Sequence, residues 1–194
     1  MKLGNKQIAL MAMLIALNVT IGGIVHIVKL PIFLDAIGTI AATLILGPLP
    51  GIIVGVFSFI LAAVLINPVY IWFIGTQAII ALYIYLVAAR FTGFKSVGRV
   101  IAWGIGLGIV AGVASAPVIV LVFGGVAGSG RDLITAGLIS TGQQIYKAVI
   151  LSGAASEPVD KLLQCLAAFY IIKSLPKRVL ANFRNPVLEK NGLL

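Results

Sequence analysis

Apolar positions run through this chain in long blocks without the alternating polar face of a water-soluble helix. Residues 7 to 28 carry only His26 as an ionisable side chain, and residues 36 to 89, 100 to 130 and 162 to 172 carry no charged one. A helix rises about 1.5 Å per residue and needs roughly 20 apolar residues to cross about 30 Å of hydrocarbon. The windows therefore predict several membrane crossings. Within the longest block, Pro48 and Pro50 flanked by Gly47 and Gly51 predict one turn and Asn67–Pro68 the next, because proline lacks a backbone donor and collides with the preceding helical carbonyl.

This punctuation predicts six helices, near residues 5–26, 34–46, 50–66, 71–90, 98–123 and 157–175, in an all-α, membrane-embedded bundle that forms a single domain over residues 1–194. The second helix is short and calls for tilt, burial by its neighbours or a non-helical approach over residues 29–34. Residues 124–156 make a long outer connection with a glycine-rich start and one or two short helices. Over residues 132–151 a surface helix, a re-entrant segment and an extra span remain open. The lysine-bearing apolar N-terminus is read as a retained first span and not a cleaved leader.

Composition agrees with lipid as the solvent: 61% of residues are hydrophobic and 10% charged, against about 25% charged in an ordinary soluble domain, and mean hydropathy is +1.17. Charge then sets orientation. On six spans, Lys2, Lys6, Arg90, Lys95, Arg99, Lys173, Lys177, Arg178, Arg184 and Lys190 fall on one side, ten of the fourteen basic residues. Lys29, Arg131, Lys147 and Lys161 fall on the other. The positive-inside rule makes both termini cytoplasmic, and the same topology accounts for the net charge of +9 without nucleic acid as a partner.

Little in the chain suggests catalysis. His26 is the one histidine and Cys165 the one cysteine, so neither a metal cluster nor an internal disulfide is expected. The glycine patterns lie within apolar helix or lack the lysine of a phosphate loop. No cofactor is expected. Polar residues gather instead at the predicted outer connections: His26, Lys29 and Asp35 at the first, Asn67, Tyr70 and Trp72 at the second with Gln77 beyond, and Gln143, Gln144 and Tyr146 in the long one. Glu157, Asp160 and Lys161 follow, and Asn18 lies deeper in the first helix.

Each has a local role as well as a binding one. Tyr70 and Trp72 suit the aromatic belt, Asn67 a turn cap, and Glu157, Pro158 and Asp160 a helix start with Lys161 one turn on. Asn18 and Gln77 need partners in hydrocarbon. Cys165 is expected to pack. Small residues at Ala9, Ala12 and Ala16 permit close helix approach, either inside the bundle or against another subunit, whereas Gly104, Gly108, Gly112 and Ala116 are expected to pack internally.

Three stretches carry a family resemblance: "ALMAMLIALN" with its Ala12–Ala16 pair, "LPIFLDAIGTIAATLILGPLPGIIVG", and "EPVDKLLQCLAAFYIIKSLPKRVL". Across nearly its whole length the chain resembles the substrate-binding S component of an energy-coupling factor (ECF) type vitamin or micronutrient ABC transporter. The resemblance implies a prokaryotic plasma-membrane protein that captures a water-soluble vitamin near the outer surface. It implies docking through Ala9, Ala12 and Ala16 onto a transmembrane scaffold (T) subunit bound to two ATPase subunits, with no ATP hydrolysis in this chain. The site would be drawn from Asn18, His26, Lys29, Asp35, Asn67, Tyr70, Trp72, Gln77, Gln143, Gln144, Tyr146, Glu157 and Lys161. A self-contained secondary transporter or channel is the alternative, and would call for an ionisable residue deep within a span.

Overall fold

The computed structural model describes residues 4–183 and 185–194; Lys2 and Arg184, both assigned above to the basic side, lie outside them. The described chain is all-helical: α1 (Asn5–Val28), α2 (Ile37–Leu46), α3 (Pro48–Leu65), a 3₁₀ turn (Pro68–Phe73), α4 (Ile74–Phe91), α5 (Val97–Leu121), α6 (Asp132–Ser140), α7 (Ile145–Ser174) and the short α8 (Lys177–Leu180) and α9 (Pro186–Lys190).

Four stretches are long and apolar enough to cross a membrane: α1, α3, the 3₁₀ turn with α4, and α5. Their outward faces are apolar; Val64 on α3 is 78% exposed, Val113 on α5 70% and Met13 on α1 63%. Such faces suit lipid and would be costly against water. By length and composition this is a multi-pass membrane protein.

The short α2 is buried along nearly its whole length, from Ile37 to Ile45, among α1, α3, α4 and α7. It can be short because protein, not lipid, surrounds it. The expected Gly-Pro turn is present. Gly47 takes φ +103° between α2 and α3, a conformation that costs glycine nothing and other residues a Cβ clash, and Pro48 opens α3 where its missing N–H has no helical partner anyway.

Close backbone contact also joins α5 to α7. A Cβ on Gly108 would lie 2.3 Å from Pro158 Cα and 2.5 Å from the Glu157 carbonyl oxygen. Gly104 and Gly112 likewise face α7, so this series packs inside the bundle as its spacing predicts.

The last long helix departs from expectation. It begins at Ile145, not near residue 157, and runs for 30 residues, about 45 Å at the usual rise. Glu157, Pro158 and Asp160 therefore sit in its middle and do not form a helix start. The connection ends at Gln144, with α6 as its one helix. Tertiary contacts overrule the local signal: Ala148, Val149, Ser152 and Gly153, before the proline, are all buried.

The two ends of the bundle differ. At one end Lys6 donates to Asn182, Asn185 to the Leu44 carbonyl, and Asn191 to the Ala88 carbonyl while accepting from the Phe94 N–H. Lys190 donates to the Ala89 carbonyl. The C-terminal segment thus closes the end that carries most of the basic residues. At the other end the 122–131 loop meets the α1–α2 linker, with Lys29 Nζ 3.0 Å from the Gly128 carbonyl oxygen.

Candidate solute-binding cavity

A cavity opens at this second end. Counting its mouth, it encloses about 680 Å³, between α1, the 29–36 linker, α3, the 3₁₀ turn, α4, α5, the 122–131 loop and α7. Its form, a cleft with apolar walls and a few convergent polar groups, is that of a small-molecule site. Seven of the residues proposed from sequence line it: His26, Asp35, Asn67, Tyr70, Gln77, Glu157 and Lys161.

Its walls are largely aromatic and apolar. Tyr70 meets Phe59 edge-on with centroids 5.2 Å apart and lies 6.0 Å from His26; Phe33 and Phe73 complete the aromatic lining. Asn67 caps the 3₁₀ turn as expected, its Oδ1 accepting from the Val69 N–H at 3.0 Å, which holds Tyr70 in place.

Beneath these rings lies a buried charged network on α7. Arg131, only 2% exposed, donates from Nη1 to Glu157 Oε1 at 3.2 Å, from Nη2 to the Val149 carbonyl at 2.6 Å and from Nε to Ser152 Oγ at 3.2 Å. Burial works against its positive charge and prevails, with Glu157 and Asp132 opposing it. Lys161 Nζ is 2.6 Å from Asp160 Oδ2 and 3.8 Å from both Asp35 Oδ1 and Glu157 Oε2. The Glu157–Lys161 pairing proposed across one turn is therefore present, but as part of a larger group.

Asp160 is fully engaged. Its Oδ1 accepts from the Phe33 and Leu34 N–H groups, both at 2.9 Å, and its Oδ2 also accepts from Gln164 Nε2 at 2.8 Å. Gln164 Oε1 in turn accepts from the Ala36 N–H at 3.1 Å. These bonds pin the irregular 33–36 linker to α7, supporting Leu34 in its left-handed conformation at φ +50°.

Asp35 is held more loosely. It is 7% exposed, lines the cavity, and accepts no hydrogen bond to its carboxylate within 3.5 Å among the described residues; Lys161 at 3.8 Å is its ion-pair partner. Burial pushes its pKa up to about 6, with Lys161 opposing the rise and Asp160 adding to it. Weaker help comes from its own backbone and from Gln164.

Asn18 and Gln77 find the partners that burial demands. Asn18 Nδ2 donates to Thr39 Oγ1 at 3.0 Å and Ser58 Oγ at 3.1 Å, and its Oδ1 accepts from the Gly38 N–H at 2.6 Å. All of this ties α1, α2 and α3 together, below the cavity. Gln77 Oε1 accepts from Thr39 Oγ1 at 2.8 Å, while its side chain borders the cavity.

The remaining proposed residues lie elsewhere. Lys29 sits at the rim, bonded to the loop. Trp72 is exposed and edge-on to Phe123. Gln143, Gln144 and Tyr146 are exposed where α6 turns into α7, outside the cavity lining. Arg131, Ser115 and Ser129 line it without having been singled out. For Arg131 the available signal was an arginine directly following the 31-residue uncharged run from 100 to 130.

Cys165 is buried in the core, in keeping with a packing role. Ala9, Ala12 and Ala16 are exposed on α1, so they do not serve internal packing. Neither protein-family models, curated proteins nor solved structures match the chain.

Proposed function

We propose that this protein is the substrate-binding S component of an ATP-driven ECF-type transporter, capturing a water-soluble vitamin or related micronutrient at the outer face of a prokaryotic plasma membrane. The observation that carries this reading is a polar-floored, aromatic-walled cavity at the less basic end of a bundle with lipid-compatible sides. In this reading α2 and α7 join the four apolar stretches to make six crossings, and both termini are cytoplasmic. The exposed Ala9, Ala12 and Ala16 face docks a T subunit that carries two ATPase subunits, which supply the energy.

Capture needs no bond-making. The 122–131 loop, tied to the α1–α2 linker through Lys29 and Gly128 and to α7 through Arg131, is placed to enclose a solute and exchange its water for fixed polar groups. A buried polar group left unpaired costs about 1 to 3 kcal/mol, so a lining with Asn67, Gln77 and Ser115 discriminates against analogues with misplaced donors.

One observation favours a second reading, a self-contained secondary transporter. Glu157, Asp160 and Lys161 are ionisable and buried within a long helix, which the sequence alone had placed at a helix end. Such groups mark proton and ion pathways in coupled carriers. Purification from native membranes in mild detergent, followed by mass spectrometry of what denaturation releases, tests the capture reading; a stoichiometric small polar molecule is expected. Solute uptake by the protein alone in liposomes, driven by an ion gradient, would move the assignment to the carrier.

A further inference from the structure

Resting on the solute-capture reading, we infer that the cavity selects a molecule bearing a positively charged nitrogen on or beside a flat ring, with Asp35 as its counter-ion.

The buried network holds two cations, Arg131 and Lys161, against three carboxylates, Asp35, Glu157 and Asp160. Both cations are already committed. Every nitrogen of Arg131 bonds to protein, through Ser152, Glu157 and the Val149 carbonyl, and Lys161 is held at 2.6 Å by Asp160 with two further carboxylates at 3.8 Å. An anionic ligand would have to break these contacts and face a surplus of negative charge.

The carboxylates are not equally committed. Asp160 takes two backbone N–H groups, Lys161 and Gln164. Glu157 pairs with Arg131. Asp35 has no donor within 3.5 Å of its carboxylate among the described residues, only Lys161 at 3.8 Å and weaker help from Gln164 and its own backbone, yet it is more than nine-tenths buried and borders the cavity. One uncompensated negative charge under low dielectric is costly when empty and strongly attractive to a cation.

The walls suit the same ligand. Tyr70 and Phe59 form an edge-to-face pair beside Asp35, with His26 next to Tyr70 and Phe33 and Phe73 on the remaining sides. Aromatic faces attract cations and stack on rings. Gln77 Nε2 donates to no group among the described residues and is free to read a ring acceptor, because the side-chain oxygen alone is tied to Thr39.

Benzamidine, benzyl alcohol and benzoate, one ring with positive, neutral and negative substituents, provide the test by isothermal titration at pH 7.5 on the purified protein after any co-purified solute has been removed. Benzamidine is expected to bind at least tenfold more tightly than either other probe, and Asp35→Asn to abolish that preference while retaining a folded thermal transition. Should Asp35→Asn fail to fold, Asp35→Glu is expected to keep the cation preference. Benzoate binding as tightly as benzamidine, an unchanged preference in Asp35→Asn, or no binding of benzamidine would overturn the inference. The charge of a natural co-purified solute separates the two readings: an anionic solute removes the cation inference and leaves capture standing, whereas the absence of any solute counts against capture itself.

Discussion

Helices α1 and α5 carry the same kind of stripe, small residues three or four apart, and the fold treats them in opposite ways. On α5, Gly104 and Gly108 are buried against α7, and Gly108 leaves no room for a methyl group. On α1, Ala9, Ala12 and Ala16 are exposed. The two aspartates of the buried charged network repeat the contrast: Asp160 is bound by four donors, whereas Asp35, which borders the cavity, has none within 3.5 Å. Spacing says that a close approach is possible; only the packed structure says whether it has been used within the chain. What the fold leaves unused is what remains for a partner or a ligand.

The contrast is broken most forcefully on α5. Gly108→Leu places a side chain against the Pro158 backbone, where nothing flexible can yield, and overpacking of this kind costs about 1 to 3 kcal/mol or more. The expected outcome is loss of a monodisperse folded species in detergent, read by size-exclusion chromatography and thermal unfolding. A normal melting profile would mean that α5 and α7 are not packed as described.

A smaller effect of opposite sign is expected at Asp35. Its folded pKa of about 6 lies above the ordinary carboxyl value of 3.8, so the empty fold favours the protonated acid. That contribution is complete below about pH 3.8 and is lost as pH rises through 6. Lys161, Asp160 and Glu157 on α7, Gln164 on the same helix and Tyr70 on the 3₁₀ turn set this balance. Asp35→Asn, always neutral, should be more stable than the empty wild type by about 1 to 3 kcal/mol at pH 7.5, with the gap closing near pH 4. Thermal unfolding across that range checks it; a destabilised variant at pH 7.5 would show that Asp35 is held by the fold after all.

The smallest effect on folding is expected on α1. Ala12→Leu with Ala16→Leu adds bulk to an exposed face and should change stability by no more than about 0.5 kcal/mol, while abolishing solute uptake in cells that express the cognate T and ATPase subunits. Wild-type uptake from the double variant would remove this face from the docking interface. A large loss of stability would mean that the face is packed within the chain.

Much of the architecture was legible because its signals are local. Pro48 and Gly47 cannot continue a helix, and uncharged runs of membrane length need no tertiary information, so the bounds of α1, α3, α4 and α5 fall close to those expected. The start of α7 was not legible. Glu157–Pro158 has the composition of a helix start, and only the burial of Val149 and Ser152 beneath Arg131, a contact across 18 to 21 residues, carries the helix through the proline.

The site divides the same way. Asn67, Tyr70 and Gln77 lie on or next to a rigid helix start, and their polarity in an apolar context was enough to find them. Gln143, Gln144 and Tyr146 are equally polar but stand on a turn whose direction depends on how α6 packs against α7, and they emerge at the surface. Arg131 follows the glycine-rich "GSG" and reads as a solvated loop cation. Its burial depends on Glu157, 26 positions away.

Solute capture requires open space in the cavity, so a variant that fills that space separates a binding site from an incidental cleft. Thr76, half-buried on the α4 wall, can be replaced by tryptophan to reduce the space while leaving Asp35, Glu157 and Lys161 unchanged. Mass spectrometry of denatured wild-type protein is expected to reveal one small polar molecule per chain, and the Thr76→Trp protein, folded by its thermal transition, is expected to release none. The same molecule recovered from both proteins, or none from the wild type, would contradict the account.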